Sequence, residues 1–271
     1  MQRRGDKFMN VTKRYFRLWG VLTGYSFMTA LASRLSAIIF LIGKALRFFF
    51  FIVFLLALFT QTQTLANYTV LQAMFFFLTF NIIDTTAQLF FREVYRFRHM
   101  VVSGDFDLIL TKPASPLFRA LAGGADPLDL VMLIPYIGSL VYVGSMLHIG
   151  NVGNITLYVI LVVNALVIAT GFHILVLSLA IMTTEIDHSV MIYRDLTSMG
   201  RIPVDIYREP LRSIITFAVP VGIMMTYPAK AIMGLLSLRL AVPAIVAGCT
   251  FLFVSLRVWR FALLQYSSAS S

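Results

Sequence analysis

The chain alternates between long apolar stretches and shorter stretches that hold most of its charged residues. A helix of roughly 20 apolar residues crosses a bilayer core of about 30 Å. Six stretches are long enough and are predicted to be membrane spans; they cover residues 36–59, 66–90, 128–147, 154–182, 211–227 and 239–258. The fifth is short and contains Pro220, so a kinked or re-entrant path is also compatible with it. The pattern predicts an all-α polytopic membrane protein with six transmembrane helices over residues 36–260.

The segment before the first span has a helical repeat of its own. Its apolar positions fall on one face and its basic positions on the other; they are Val11, Tyr15, Leu18 and Leu22 against Lys13 and Arg17. We therefore expect residues 1–35 to form a cytoplasmic N-terminus with an amphipathic helix in the membrane interface. An irregular basic tail is the alternative. Residues 261–271 are predicted to be a cytoplasmic tail.

Composition supports the membrane class and the charges indicate an orientation. Hydrophobic residues make up 59% of the chain, charged residues only 13%, and the mean hydropathy is +0.86, which excludes a soluble domain of this size. Twenty of the 22 Lys and Arg residues flank the spans on the side of the N-terminus, and two lie on the other side. This bias predicts that both termini are cytoplasmic. Because topology explains the basic balance, no nucleic-acid partner is expected.

The sequence offers little chemistry of its own. It contains no G-x-x-x-x-G-K-[ST] motif, so no P-loop for ATP is predicted, and neither a metal site nor a catalytic arrangement is expected. Asp84 is the one acid predicted to lie more than one helical turn inside a span. It could form a charge pair with Arg47 or Lys44, or it could be a polar point in a translocation path.

The loop between spans two and three predicts a short cytoplasmic helix. Gly104 ends the preceding helix, and Asp105 and Asp107 can stabilise the positive N-terminus of a new one. Pro113, after Lys112, follows its end. The predicted helix, "DFDLIL", contains Asp105, Phe106, Asp107, Leu108, Ile109 and Leu110, of which Phe106, Ile109 and Leu110 share an apolar face. Such a face is suited to docking on a partner protein.

Three stretches resemble one family. "VVSGDFDLILTKPASPLF" is similar to the "G-x-L/F-D-x-x-L-x-K-P-x-S-P-L" segment of type-2 (ABC-2) ABC transporter permeases, in the branch with six spans. "GRIPVDIYREPLRSIITFAVPVGIMMTYPAKAIMG" and the C-terminal "WRFALLQYSSASS" resemble two further segments of that branch. One departure is the small, polar "AGGADP" before span three, where the family has a more continuous connection.

The resemblance implies a permease subunit of an ABC exporter in the cytoplasmic (inner) membrane of a prokaryote. It implies a homodimer or heterodimer that binds two copies of a separate ATPase subunit, with ATP and Mg bound in that partner and no cofactor in this chain. By position, the coupling helix is Asp105–Leu110. Spans one, two and five would face the transport pathway, which the resemblance places near Phe76, Phe80, Phe217, Met224 and Met225. The chain itself is then not an enzyme.

Two other functions are compatible with the sequence. An ATP-independent channel or carrier would normally show more ionisable residues within its spans. A membrane enzyme acting on lipids would need a catalytic group, and the cluster Glu185, Asp187 and His188 is its only candidate. The spans, rich in Phe and Met, are compatible with a lipid, a hydrophobic peptide or a drug-like compound as substrate.

Overall fold

The computed structural model describes residues 2–183 and 186–266, and the side chains of residues 12–183 and 190–266. The described residues form helices joined by turns, with no β-strand among them. In chain order the helices are α1 (Gln2–Ala32), α2 (Arg34–Gln61), α3 (Val70–Phe91), α4 (Phe97–Val102), α5 (Asp105–Leu110), α6 (Pro116–Leu121), α7 (Pro127–Met146), α8 (Val152–Thr183), α9 (Ile186–Ser198), α10 (Leu211–Ser213), α11 (Tyr227–Ile232) and α12 (Leu238–Leu264). The prediction of an all-α polytopic membrane protein is confirmed.

Five of these helices are long and apolar enough to cross a membrane: α2, α3 with its continuation to Val102, α7, α8 and α12. Their ends differ from the predicted spans by a few residues for local reasons. Span two begins at Val70 rather than at residue 66, because Thr69 and Gln72 form a reciprocal capping box at the start of α3. Span three begins at Pro127, where the Asp126 carboxylate accepts a hydrogen bond from the Leu128 backbone at 2.8 Å.

The two ends of the helix bundle differ in their connections. Residues 62–69 and 147–151 join neighbouring helices at one end, which we call the short-loop end. The segment 92–126, with α4, α5 and α6, lies at the opposite end, which we call the long-loop end.

The centre of the bundle is the parallel pair α8 and α12. Asn164 donates a hydrogen bond to the Ala244 carbonyl at 3.1 Å, and a side chain at Gly248 would overlap Asn164. Phe251 and Ser255 lie so close to Gly171 that a Cβ there would contact both. By contrast, α2 packs loosely on the rest of its own chain: a window within it is only 6% buried.

Residues 211–232 form a bent pair of helical segments, Leu211–Ala218 and Gly222–Ile232, with an angle of 80° between them. Pro220 lies at the bend, where it cannot donate a helical hydrogen bond, and a π-helical turn stands on each side of it. The Asp205 carboxylate lies 2.7 Å from Arg212 and 2.6 Å from Lys230, near the two ends of the pair. Both ends therefore lie at the same end of the bundle.

Tyr68 shows which end this is. Its hydroxyl donates to Asp205 at 2.9 Å, and Tyr68 lies in the short connection before α3. The pair is thus a re-entrant hairpin at the short-loop end, and it does not cross the bundle. The expectation that residues 211–227 form the fifth crossing is corrected, and the kinked or re-entrant alternative is the one that holds.

Residues 186–204 take the place of the missing crossing. They begin beside α4 at the long-loop end and reach Asp205 at the short-loop end. The 13 residues of α9 span about 20 Å, and the following turns can supply the remaining length of about 10 Å. Arg208 and Arg212, counted above with the N-terminal side, accordingly lie at the opposite end. The count of Lys and Arg becomes eighteen against four, and its bias keeps the same sign.

The N-terminal segment is helical, as expected, but its predicted apolar face is partly covered by protein. The Tyr15 hydroxyl accepts a hydrogen bond from the Ser115 backbone at 2.9 Å, and its ring packs on Phe118 at 4.7 Å. The side chain of Val11 lies outside the described residues. The large apolar side chains of α1 that stay exposed lie on other positions; they include Phe16, Tyr25, Met28 and Leu31.

Candidate functional site

The short helix predicted at the long-loop end is present as α5. Gly104 adopts φ +77°, a left-handed conformation that lets the chain turn sharply between α4 and α5. Asp105 and Asp107 lie in the first turn of α5, where negative charge is favourable, and Ser103 donates to Asp105 at 2.8 Å. Pro113 follows beyond the last turn, as predicted. The acids therefore have a structural role at the start of this helix.

The apolar face of α5 is oriented differently from the prediction. Phe106 is fully buried, and its ring makes edge contacts with Phe97 at 5.0 Å and Tyr266 at 5.3 Å. Ile109 also packs against the core. The expectation that Phe106 is presented to a partner is wrong, because so short a helix is held in place by burying its largest side chain. Leu108, 61% exposed, is the main apolar group of α5 on the outside.

Two distant parts of the chain hold the α5 region. The Tyr266 hydroxyl, just beyond α12, donates to Asp107 at 2.8 Å. Burial and this hydrogen bond raise the pKa of Tyr266 to about 12. On the other side, the Arg14 guanidinium of α1 donates to the Pro113 carbonyl at 2.9 Å. The helix is thus attached to both the first helix and the last.

A cavity of about 410 Å³ lies between α2, α3, α7 and α9. One wall is aromatic: Phe77 stacks on Phe51 at 4.2 Å and on Phe48 at 5.5 Å, and Tyr136 contacts Phe48 at 4.8 Å. A second cavity of about 330 Å³ adjoins it and shares Phe80 in its lining. Both volumes lie in the range of about 300–1,000 Å³ that small-molecule sites occupy.

The other wall is basic. Lys44 and Arg92 both pair with Asp129, whose side chain is fully buried, and Arg92 also pairs with Asp126 at 2.9 Å. Phe40 lies beneath both cations, at 4.9 Å from Lys44 and 4.7 Å from Arg92. The remaining basic groups of the lining are Arg47, Arg194 and Arg201. Asp129 and Asp126 together thus compensate two of the five cations.

Asp84 lines the same cavity but has a different partner from the one expected. Its carboxylate accepts a hydrogen bond from Gln88 at 2.7 Å. Lys44 pairs with Asp129 instead, and no described side chain forms an ion pair with Asp84 within 4.0 Å. Of the two interpretations, the geometry favours the polar point in a cavity over the close charge pair.

The other predicted pathway residues are divided by the structure. Phe80 lines both cavities with Asp84. Phe76, Met224 and Met225 are buried in the core instead, and Met225 packs against the turn after α9. Phe217 is 65% exposed on the hairpin. Of the six predicted pathway residues, Asp84 and Phe80 therefore line the cavity and the other four do not.

The predicted site residues do not include Arg194 and Arg201, because the sequence pattern assigns both to a connecting loop. The only signal for them was their charge in a segment long enough to cross the bundle.

The alternative catalytic cluster lies outside the part of the chain that can be described: this holds for Glu185 and for the side chains of Asp187 and His188. Within the described part of the chain, no group of three His, Cys, Asp or Glu residues is arranged to hold a metal ion.

Comparison with known proteins agrees with this architecture. Residues 41–270 match the family model described as "ABC-2 family transporter protein". No curated protein and no solved structure matches the chain. The match spans most of the chain, from within α2 to beyond α12, and includes α5 and every residue that lines the two cavities except Phe40. The chain belongs to the ABC-2 family of transporters.

Proposed function

We propose that this chain, the permease component of an ABC transporter, exports its substrate as a dimer and is driven by a separate ATPase subunit that docks on α5. The proposal rests on one observation: the short helix α5 carries both an exposed apolar side chain, Leu108, and a fully buried one, Phe106. An exposed apolar group gives a partner something to bind. A buried anchor passes the partner's movement to the bundle.

The attachments of α5 support a mechanical role. Phe106 contacts Phe97 in α4, which continues α3, and it contacts Tyr266 at the end of α12. A displacement of α5 would therefore move the long-loop ends of two membrane helices together. One of them, α3, lines the cavity. Closely packed side chains transmit such shifts because protein interiors are dense.

In this proposal ATP and Mg²⁺ bind in the partner, two copies of which serve two permease chains. The second permease chain is either a copy of this one or a related chain. The long-loop end faces the cytoplasm of a prokaryotic cell, and both termini lie on that side, as the excess of Lys and Arg indicates. The loosely packed α2, which lines the cavity, is compatible with a second chain beside it.

The test is co-purification with the ABC ATPases encoded in the same genome, with ATPase activity measured in proteoliposomes. We expect one ATPase to co-purify and its activity to depend on this chain. Leu108→Asp should weaken that association at least tenfold while the permease still inserts. Leu235→Asp is the matched control, because Leu235 is similarly exposed but lies near the short-loop end. Transport by this chain alone, without any ATPase, would contradict the proposal and favour a channel or carrier.

A further inference from the structure

We propose that the cavity between α2, α3 and α9 binds an anionic amphiphile, whose acidic head lies among Arg47, Arg194 and Arg201 and whose apolar body lies along the aromatic wall. The inference rests on the proposed function only in identifying this ligand with the exported substrate. Binding itself requires no ATPase and can be measured on the permease alone.

The five cations of the cavity differ in their ionic partners. Lys44 and Arg92 are compensated by Asp129 and Asp126. In the described part of the chain, the guanidinium groups of Arg47, Arg194 and Arg201 have neither an ion pair nor a hydrogen bond to protein. Arg201 lies over the Phe80 ring at 5.8 Å, and its buried Nε atom has no hydrogen-bond partner.

Charged groups at membrane depth are costly unless they face water or a partner. Guanidinium groups bind phosphate and carboxylate through paired hydrogen bonds, so these three are suited to an acidic head group.

The net charge of the lining is positive. Asp84 and Asp195 are the acids that line the two joined cavities beside Arg47, Arg194 and Arg201, so three positive charges face two negative ones. Lys44 and Arg92 are balanced by Asp126 and Asp129 and change nothing in this count. Asp84 is in addition occupied by its hydrogen bond from Gln88. The excess is positive, which favours an anion over a cation.

Polar and apolar groups follow a definite order along the cavity. Lys44 and Phe51 lie seven residues apart on α2, which is about 10 Å along the helix axis, with Arg47 between them. On the antiparallel α3, Phe77 lies towards the short-loop end and Asp84 towards the long-loop end. The stacked rings of Phe51 and Phe77 therefore lie on the short-loop side of Lys44 and Asp84, whereas Phe40 lies beneath Lys44 and Arg92 on the other side. An extended ligand with a charged head and an apolar body has the same order.

The experiment uses the purified full-length chain in nanodiscs of phosphatidylcholine and measures binding of decyl phosphate. Decyltrimethylammonium and decanol have the same alkyl chain with a cationic or neutral head. We expect decyl phosphate to bind at least tenfold more tightly than either. The variant R47Q/R194Q/R201Q should lose at least tenfold in affinity for decyl phosphate. The variant R208Q/R239Q/R260Q removes three charges from exposed positions outside the cavity and should bind as the wild type does.

Further arms separate folding and the source of the ligand. R47K/R194K/R201K keeps the charge and should retain the preference for decyl phosphate, and Arg47→Gln alone should weaken binding about threefold, so the proposal stays testable if the triple Gln variant does not fold. A second set of nanodiscs contains phosphatidylglycerol. If this lipid competes with decyl phosphate for binding, the ligand is a bilayer lipid; if it does not compete, the ligand is a free amphiphile.

Equal binding of decyltrimethylammonium, or unchanged affinity in R47Q/R194Q/R201Q, would overturn the proposal. Failure to co-purify an ATPase would contradict the proposed function and leave this binding result standing.

Discussion

The Tyr266 hydroxyl lies 2.8 Å from the Asp107 carboxylate, so the end of the last helix is hydrogen bonded to the short helix α5. The two residues are 159 positions apart in the chain. Since the Phe106 ring also contacts Tyr266, one aromatic side chain holds α5 through both its ring and its hydroxyl.

Tyr266→Phe should separate these two contacts. It keeps the ring against Phe106 and removes the hydrogen bond, so we expect a loss of about 1 kcal/mol in stability or less, and faster hydrogen exchange in α5. In a transport assay the variant should hydrolyse more ATP per substrate exported, because α5 is less firmly tied to α12. Unchanged hydrogen exchange in α5 would show that the hydroxyl contributes nothing to its attachment.

Substitution by Asp should affect the stability of the protein very differently at Phe106 and at Leu108. Phe106→Asp places a carboxylate in the core, and we expect loss of the folded protein; Phe106→Ala should cost about 3–5 kcal/mol. Leu108→Asp changes an exposed position and should alter stability by about 0.5 kcal/mol or less. Thermal unfolding in detergent checks both. A Phe106→Asp protein as stable as the wild type would contradict the burial of Phe106.

Asp129 and Asp84 should also differ, although both lie beside the cavity. Asp129→Asn leaves Lys44 and Arg92 without their shared carboxylate and should cost about 3–5 kcal/mol. Asp84→Asn keeps a side chain that can accept from Gln88 and should cost about 1 kcal/mol or less.

Because Asp84→Asn also raises the positive excess of the cavity, its affinity for decyl phosphate should increase. Thermal unfolding and binding on the same preparations test both statements, and equal destabilisation by the two variants would argue against them.

Asp205 should make the hairpin sensitive to acid. Burial alone would raise the pKa of this carboxyl, but Lys230, Tyr68 and Arg212 together hold it below its ordinary value of 3.8. A lowered pKa in the folded state means that the stabilisation is complete above about pH 4 and is lost as the pH falls through the folded-state pKa. Wild type should therefore be more stable than Asp205→Asn at neutral pH, and the difference should shrink below pH 3.8. A difference that is constant with pH would exclude this ionic role.

The α5 region shows where prediction from sequence stopped. Gly104 and the acids after it indicated a short helix, because turn formation and charge at a helix N-terminus act within a few residues. The direction in which Phe106 points could not be predicted, since both Phe106 and Leu108 are apolar and lie on different sides of the helix. Only the presence of Phe97 and Tyr266 in space decides that Phe106 is the buried one.

The fifth crossing is a second example. Apolar length favoured residues 211–227, and Pro220 indicated a break without showing where the chain goes afterwards. The contacts of Asp205 with Arg212 and Lys230 place both ends of the hairpin together. Residues 186–204 carry charges that are typical of a loop, yet Arg194 and Arg201 face a cavity rather than lipid. A polar segment can cross where other helices shield it and an open space receives its side chains.

The sequence by itself determined the class of this protein, its helical composition, most of its spans and the basic bias of one side, because hydrophobic length and charge act locally along a chain. The tertiary structure decided which charges are compensated, which apolar side chains are buried and which segment crosses the bundle. These properties depend on contacts between residues far apart in the chain, such as Lys44 with Asp129 and Tyr266 with Asp107, and no local pattern specifies such contacts.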